Sequence, residues 1–232
     1  MKINNVDTGK KPLSIKEAEL ITGMGSETLT PTSKLDCFSF SLDARECNIG
    51  SKLVDIPGSV CADCYALKGN YIKYQTVIQL AQSRRMYALV NHPQWVHAMS
   101  VILNSNRVSK FKKFRWFDSG DIPNMDSLIK IIAVAMLTPG LKHWLPTKEY
   151  RLVSQYKKSG GFIPANLVIR QSAPMINGIL PRSSGTSSMV ITKGAKLPVD
   201  TTICIAHKQD NQCLKCTACW NPEVLRIAYP WH

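Results

Sequence analysis

The sequence predicts an α/β fold: a partial or small parallel, barrel-like βα domain with cysteine-rich metal-binding loops near both ends. Three observations carry that expectation. Short apolar runs that finish in polar residues recur at intervals of roughly 21–28 residues through the middle of the chain. Helix-patterned segments separate at least the first three of these runs, which is the alternation of a parallel sheet. All eight cysteines fall into two groups, Cys37, Cys47, Cys61 and Cys64, then Cys204, Cys213, Cys216 and Cys219.

The elements follow in chain order. Residues 1–12 read as a loose polar arm, and Ser14 with Glu17 three positions on forms a capping-box pattern that opens a short helix. Residues 1–34 are thus an arm and short helix ahead of a single α/β metal-binding domain over 35–232. Residues 30–69 are rich in Ser, Asp, Gly and Pro and read as loop, although LDCFSFSLDA around Cys37 alternates as a strand does. A long helix is expected over Tyr71–Val90, with Val77, Leu80, Ala81, Tyr87 and Ala88 on its inner face. Pro93, a favoured first-turn residue, starts a second helix through WVHAMSVILN.

From residue 111 strands and helices alternate. FKKFRWFDSGD is strand-like, MDSLIKIIAVAML is an apolar helix ended by Pro139-Gly140, and LKHWLPTKEY is strand-like again. KEYRLVSQYKK is a helix closed by Gly160-Gly161, and NLVIRQS and SSMVITK repeat the strand-then-polar pattern. The interval between those two is too rich in Pro, Gly and Ser for a helix, and TTICIAHKQ reads as a last strand leading into the second cysteine group.

Composition bounds the function. No apolar run approaches the ~18 residues of a membrane span, and the polar N-terminus lacks the apolar core of a secretory signal. A cytosolic location is expected, where paired Cys-x2-Cys spacings mean metal rather than disulfides. A net charge of +13 points to polyanions, nucleic acid or nucleotides first, with a host protein as the other partner class. Lys110, Lys112, Lys113 and Arg115 form the densest basic group, and Lys157 and Lys158 a smaller one. No nucleic-acid-binding motif accompanies them, so that expectation rests on charge alone.

In parallel α/β folds active groups gather where strands end. Those positions carry Asp118, Ser119 and Asp121, then Thr147 and Lys148, Arg170 and Ser172, and Thr192 and Lys193. Asp118, Asp121, Lys148 and Arg170 are the candidates for orienting a polar substrate; Asp121, just before Ile122-Pro123, equally suits a helix N-cap.

Cys213, Cys216 and Cys219 have the compact C-x2-C-x2-C spacing that wraps three corners of an iron–sulfur cube, with Cys204 as the fourth ligand. Four thiolates also suit structural zinc, which more often uses two separated knuckles, so the pattern favours a 4Fe-4S cluster. In the first group Cys61 and Cys64 form one chelating knuckle, and Cys47 sits in a loop that suits a ligand. Cys37 reads equally as a fourth ligand or as an inert strand thiol. Four ligands close a site, whereas three leave a metal position open for substrate or cofactor. Tyr65 and Trp220, next to their knuckles, are candidates for shielding a bound cofactor from water. His207 stands beside the second group, while His92, His97 and His143 read as structural.

The segments C-x13-C-x2-C-Y-A, DSGD, W-L-P-T-K-E-Y, N-L-V-I-R-Q-S-A and C-x8-C-x2-C-x2-C-W-N together resemble the gene product eighty-eight family of phage and plasmid proteins, over about residues 35–232. The resemblance implies a mobile-element origin and a cytoplasmic life in an infected bacterium. A weaker resemblance is to radical S-adenosylmethionine enzymes and to phage proteins with Cys-x2-Cys-Tyr-Ala before an α/β barrel. It implies that Cys47, Cys61 and Cys64 bind a cube whose free iron takes S-adenosylmethionine, the second group being auxiliary. The usual compact C-x3-C-x2-C is replaced by a thirteen-residue gap, and no Gly-rich cofactor strand is evident.

Two function classes follow. One is an iron–sulfur enzyme acting on nucleic acid or nucleotides; the other is a metal-stapled basic binding protein without catalysis. A redox-sensing regulator is the third and weakest reading.

Overall fold

The structure is a computed structural model that describes residues 12–24, 29–32, 34–180 and 184–231. Most of the expected polar arm lies outside the described residues. In chain order come α1 (Ile15–Ile21), β1 (Thr30–Thr32), β2 (Cys37–Phe40), α2 (Gly50–Leu53), α3 (Asn70–Lys73), α4 (Gln75–Asn91), α5 (Trp95–Asn104) and α6 (Asn106–Ser109). Then follow β3 (Lys113–Trp116), α7 (Met125–Leu137), β4 (Lys142–Thr147), α8 (Tyr150–Lys158), β5 (Leu167–Ser172), β6 (Ser187–Ile191), β7 (Thr201–Ile203) and β8 (Arg226–Pro230). The strands form one sheet in the order β1-β2-β3-β4-β5-β6-β8-β7. β1 is antiparallel to β2, and the seven strands from β2 onward run parallel. The sheet is α/β and open: it does not close into a barrel.

Strands β2 to β6 stand side by side in chain order, so each crossover turns the same way and the helices lie on one face. That face is the main core. Phe38, Phe40, Phe114, Trp116, Leu145, Leu167 and Ile169 meet Leu89, Trp95, Met99, Leu103, Leu128, Ile131 and Val153. Rings interlock edge to face, Phe114 with Trp116 at 4.9 Å and Phe40 with Trp95 at 5.8 Å. α1 forms from its Ser14–Glu17 capping box as expected. Ala18, with Met24 and Leu29 beyond the helix, belongs to this same core.

β7 and β8 break the progression. β8 inserts between β6 and β7, so the step from β7 to β8 runs backward across the sheet. A right-handed parallel crossover that reverses direction must pass over the opposite face. The connection between them is the second cysteine loop, which covers the face bearing Cys37, Trp144 and Arg170. Strand periodicity places Cys37, Arg115, Trp144 and Arg170 on this second face because Phe38, Trp116, Leu145 and Ile169 occupy the first.

Two expectations need correction. Sequence reasoning read residues 30–32 and 226–230 as loop or left them unassigned, whereas β1 and β8 form there. The inner face of α4 is Ala81, Gln82, Arg85, Ala88 and Leu89, while Val77, Leu80 and Tyr87 are 62%, 60% and 72% exposed. Polar partners select that face: Gln82 Nε2 donates to Ser119 Oγ at 2.9 Å and Arg85 Nη1 to Ser41 Oγ at 3.0 Å. Among the described residues no helix is long and apolar enough to cross a membrane.

Candidate metal centres

The first cysteine loop lies across the carboxyl ends of the parallel strands, held by four hydrogen bonds to the segments that follow three of them. Leu42 N donates to Ser119 O beyond β3 (2.9 Å), Asn48 Nδ2 to Pro123 O (2.9 Å), Ile49 N to Glu149 Oε1 beyond β4 (3.2 Å), and Val60 N to Pro174 O beyond β5 (2.8 Å). The DSGD turn fits under it tightly: Gly120 has φ +83°, and a Cβ there would stand 2.6 Å from Leu42 Cβ.

Within this loop Cys47, Cys61 and Cys64 converge. Cys64 N donates to Cys61 O at 3.2 Å, closing the knuckle. The sulfurs of Cys47 and Cys61 both lie within 3.7 Å of the position that a Gly50 Cβ would take. Burial pushes the Cys47 thiol up, with Asp121, Cys64 and Cys61 adding to the effect and Lys148 opposing it. Burial also raises Cys64, again against Lys148. One lysine therefore faces the thiols of Cys47 and Cys64, which is the sign of charge that a thiolate group needs nearby.

Cys37 is elsewhere. It is 1% exposed and packs with Leu35, Trp144 and Trp220 in a cluster joined by Cys213, Cys219 and Tyr229. Burial pushes its thiol up to about 11, with Thr32, Lys113 and Arg115 opposing. The sequence grouped Cys37 with Cys47, Cys61 and Cys64; the strand carries it to the second group's side of the sheet.

The second loop is wound by left-handed residues, Asp210, Asn211 and Leu214. Cys216 N donates to Cys213 O at 2.8 Å, and Cys213 N to Lys34 O at 2.9 Å. Cys204, Cys213, Cys216 and Cys219 share one neighbourhood: Cys213 feels Cys204 and Cys216, and Cys219 feels Cys213 and Cys204. Burial lifts the Cys219 thiol to about 11 against the Tyr229 hydroxyl, 3.3 Å from its sulfur, and against Arg170. Trp220 is 3% exposed, donates from Nε1 to Phe114 O at 2.8 Å, and meets Trp144 edge to face. His207 stands in the short turn Ala206–Lys208, between Cys204 and the knuckle.

Among the described residues, no three His, Cys, Asp or Glu side chains gather closely enough to hold a single metal ion.

The strand-end candidates divide. Lys148 and Asp121 stand beside the first group, and Asp118 accepts from the Tyr71 hydroxyl at 3.4 Å. Asp121 is a tie between loops: Oδ1 accepts from Thr147 Oγ1 (2.6 Å) and Ile122 N (2.8 Å), and Oδ2 from Lys148 N (2.8 Å). Burial lifts its carboxyl while those bonds oppose. It is not the cap of α7, which is Asn124. Arg170 is fully buried and serves the second group instead, donating to the carbonyls of Ser187, Val224, Ala218 and Asn221.

Tyr65 is 57% exposed, leans edge to face on Tyr71, and lies beside Arg115. Of the basic group at 110–115, Lys113 lies over the Trp220 ring and Arg115 over Trp144, so half of that group faces the sheet rather than solvent. Sequence reasoning missed Glu149 and Tyr150, and read Arg115 only as one member of the basic group. Glu149 is 5% exposed, its carboxyl raised by burial and by Asp121, and the Tyr150 hydroxyl donates to Ser172 O. Glu149 and Tyr150 sit inside W-L-P-T-K-E-Y, immediately after a strand, and that position was their available signal.

A family model described as gene product 88 matches residues 11–226. No curated protein and no solved structure matches the chain.

Proposed function

This chain belongs to the gene product 88 family, and on that footing we propose that it is an iron–sulfur enzyme whose first cysteine group is the reactive one. The observation that carries the reading is the ligand count. Cys47, Cys61 and Cys64 converge at the carboxyl ends of the strands, while Cys37 packs with the other group. Three thiolates leave one metal position without a protein ligand, which is the arrangement of a reactive rather than a structural centre.

The donor sets fit clusters better than zinc. Zinc more often uses two separated knuckles, whereas Cys213, Cys216 and Cys219 follow one another at three-residue spacing. A cube several atoms across is held by thiolates that stand farther apart. Cys47, Cys61 and Cys64 would hold the first cluster, and Cys204, Cys213, Cys216 and Cys219 the second. With three protein ligands, the first would supply a one-electron centre able to bind a small cofactor, S-adenosylmethionine being the one that the weaker family resemblance implies. Around it, Lys148 offsets thiolate charge, Glu149 holds the loop that carries Cys47 through Ile49 N, Asp121 fixes the backbone of Lys148, and Tyr65 directly follows the knuckle. The substrate class is a nucleotide or nucleic acid, supported by the net charge of +13.

The test is anaerobic reconstitution of the full chain, followed by iron, sulfide and zinc counts and low-temperature electron paramagnetic resonance. About eight iron and eight sulfide per chain are expected for two cubes, with one of two reduced signals changing when S-adenosylmethionine is added. Stoichiometric zinc, or two signals both indifferent to S-adenosylmethionine, overturns the reading.

A further inference from the structure

Between the two cysteine groups, the second face of the sheet holds a polar cluster that supplies no sulfur ligand to either. Arg115, on β3, is its hub. Its guanidinium lies 4.8 Å from the Trp144 ring centre and senses Tyr65, Asp118, Tyr229 and Cys219. Three buried atoms of this cluster have no hydrogen-bond partner among the described residues: Arg115 Nε, Trp144 Nε1 and Asp118 Oδ1. The other Asp118 oxygen accepts from the Tyr71 hydroxyl at a long 3.4 Å. Buried polar atoms without partners are unfavourable unless something arrives to satisfy them.

Their chemistry says what that something is. Two orphan donors on side chains in cation–ring contact, one of them a cation, suit an anionic oxygen; a guanidinium backed by an indole is a rigid anion receptor. The nearby orphan carboxylate oxygen wants a hydroxyl or amine proton from the same molecule. The exposed Tyr65 ring, one residue from Cys64, offers a flat apolar surface at the edge of the cluster. Arg170, the other arginine of this face, is not available, because its terminal nitrogens are taken by four carbonyls.

We propose that Arg115 and Trp144 form the anchoring site for the phosphate of a nucleotide, with Asp118 accepting from its sugar and Tyr65 beside its base. The inference rests on the first cysteine group being the reactive one only for what happens after binding. Binding itself is read without turnover.

The experiment is calorimetry on the full chain, anaerobically purified, with adenosine monophosphate, adenosine and inorganic phosphate as separate probes. The monophosphate is expected to bind more tightly than either fragment. Arg115→Gln should weaken it about tenfold or more, as loss of a charge-assisted hydrogen-bond pair does, and Arg115→Lys should fall between. Asp118→Asn, which removes a negative charge beside the anion, should tighten inorganic phosphate severalfold. It also serves as the decisive variant should Arg115→Gln not fold. Equal affinity for phosphate and monophosphate would leave an anion site and overturn the nucleotide. Monophosphate binding indifferent to both Arg115→Lys and Asp118→Asn, with unchanged melting curves, would overturn the site. Iron content measured on the same samples reports on the cluster reading separately.

Discussion

Arg170 on β5 donates a guanidinium hydrogen to the main-chain carbonyl of Asn221, 3.2 Å away in space and 51 residues away in sequence. The same side chain reaches the carbonyls of Ser187, Ala218 and Val224, so a single buried cation fastens the far end of the second cysteine loop to the middle of the sheet. Replacing it by Met keeps much of the volume and removes every donor. Arg170→Met should destabilise the protein by roughly 3 kcal/mol, the cost of several buried carbonyls losing a charged partner. Urea denaturation measures that loss, and iron counts should fall in the second group and not the first.

Placement of Cys37 separates three ligands from four. Cys37→Ser should leave the iron content unchanged and cost about 1 kcal/mol for a hydroxyl in an apolar cluster. Cys61→Ser and Cys216→Ser should each remove about half of the iron. A Cys37→Ser protein that loses iron as Cys61→Ser does would show that the first centre has four ligands.

Gly50 is where the first centre is tightest. A Cβ there would lie 2.9 Å from Cys47 Cβ, with the sulfurs of Cys47 and Cys61 just beyond. Gly50→Ala should therefore displace Cys47 and lower occupancy of the first cluster, leaving the second intact. The two electron paramagnetic resonance signals, quantified separately, check this; equal loss from both would count against it.

His143 sets an acid limit on stability. It is fully buried, with Nδ1 accepting from Trp116 Nε1 at 3.2 Å and Nε2 facing Thr138 Oγ1 at 2.9 Å, and burial lowers its pKa from 6.5 to about 4. Its folded value is below its unfolded one, so the unfolded chain takes up the proton first as pH falls. Stability contributed by the neutral ring is complete above about pH 6.5 and is lost progressively down to about pH 4, by roughly 3 kcal/mol in all. Urea midpoints across that window measure the loss, and His143→Gln should flatten it.

The parallel sheet was legible because its central strands announce themselves twice, by apolar runs and by the helices between them. MDSLIKIIAVAML and KEYRLVSQYKK became α7 and α8 nearly to the residue. β8 was missed because RIAYP is short and follows a loop, and its insertion between β6 and β7 is a long-range pairing that no local pattern encodes. The α4 face was misread for a related reason: Gln82 and Arg85 turn inward to meet Ser119 and Ser41, and tertiary hydrogen bonds outranked apolar periodicity. In the candidate sites, spacing alone brought out both knuckles. What spacing could not supply was side: period two along β2 turns Cys37 away from the Phe38 face, and only the sheet's neighbours reveal which group waits there.

The return from β7 to β8 has one further consequence. Parallel neighbours are ordinarily linked by a helix, whose internal bonding makes it rigid before it docks. Here the link contains only single turns between Ala206 and Trp220, and its cysteines take the helix's place. Its amide protons should be the first of the sheet's covering to exchange with heavy water, and a protease should cut there before anywhere along α5 or α7. Whatever gathers those thiols thereby governs how long the last two strands keep their roof.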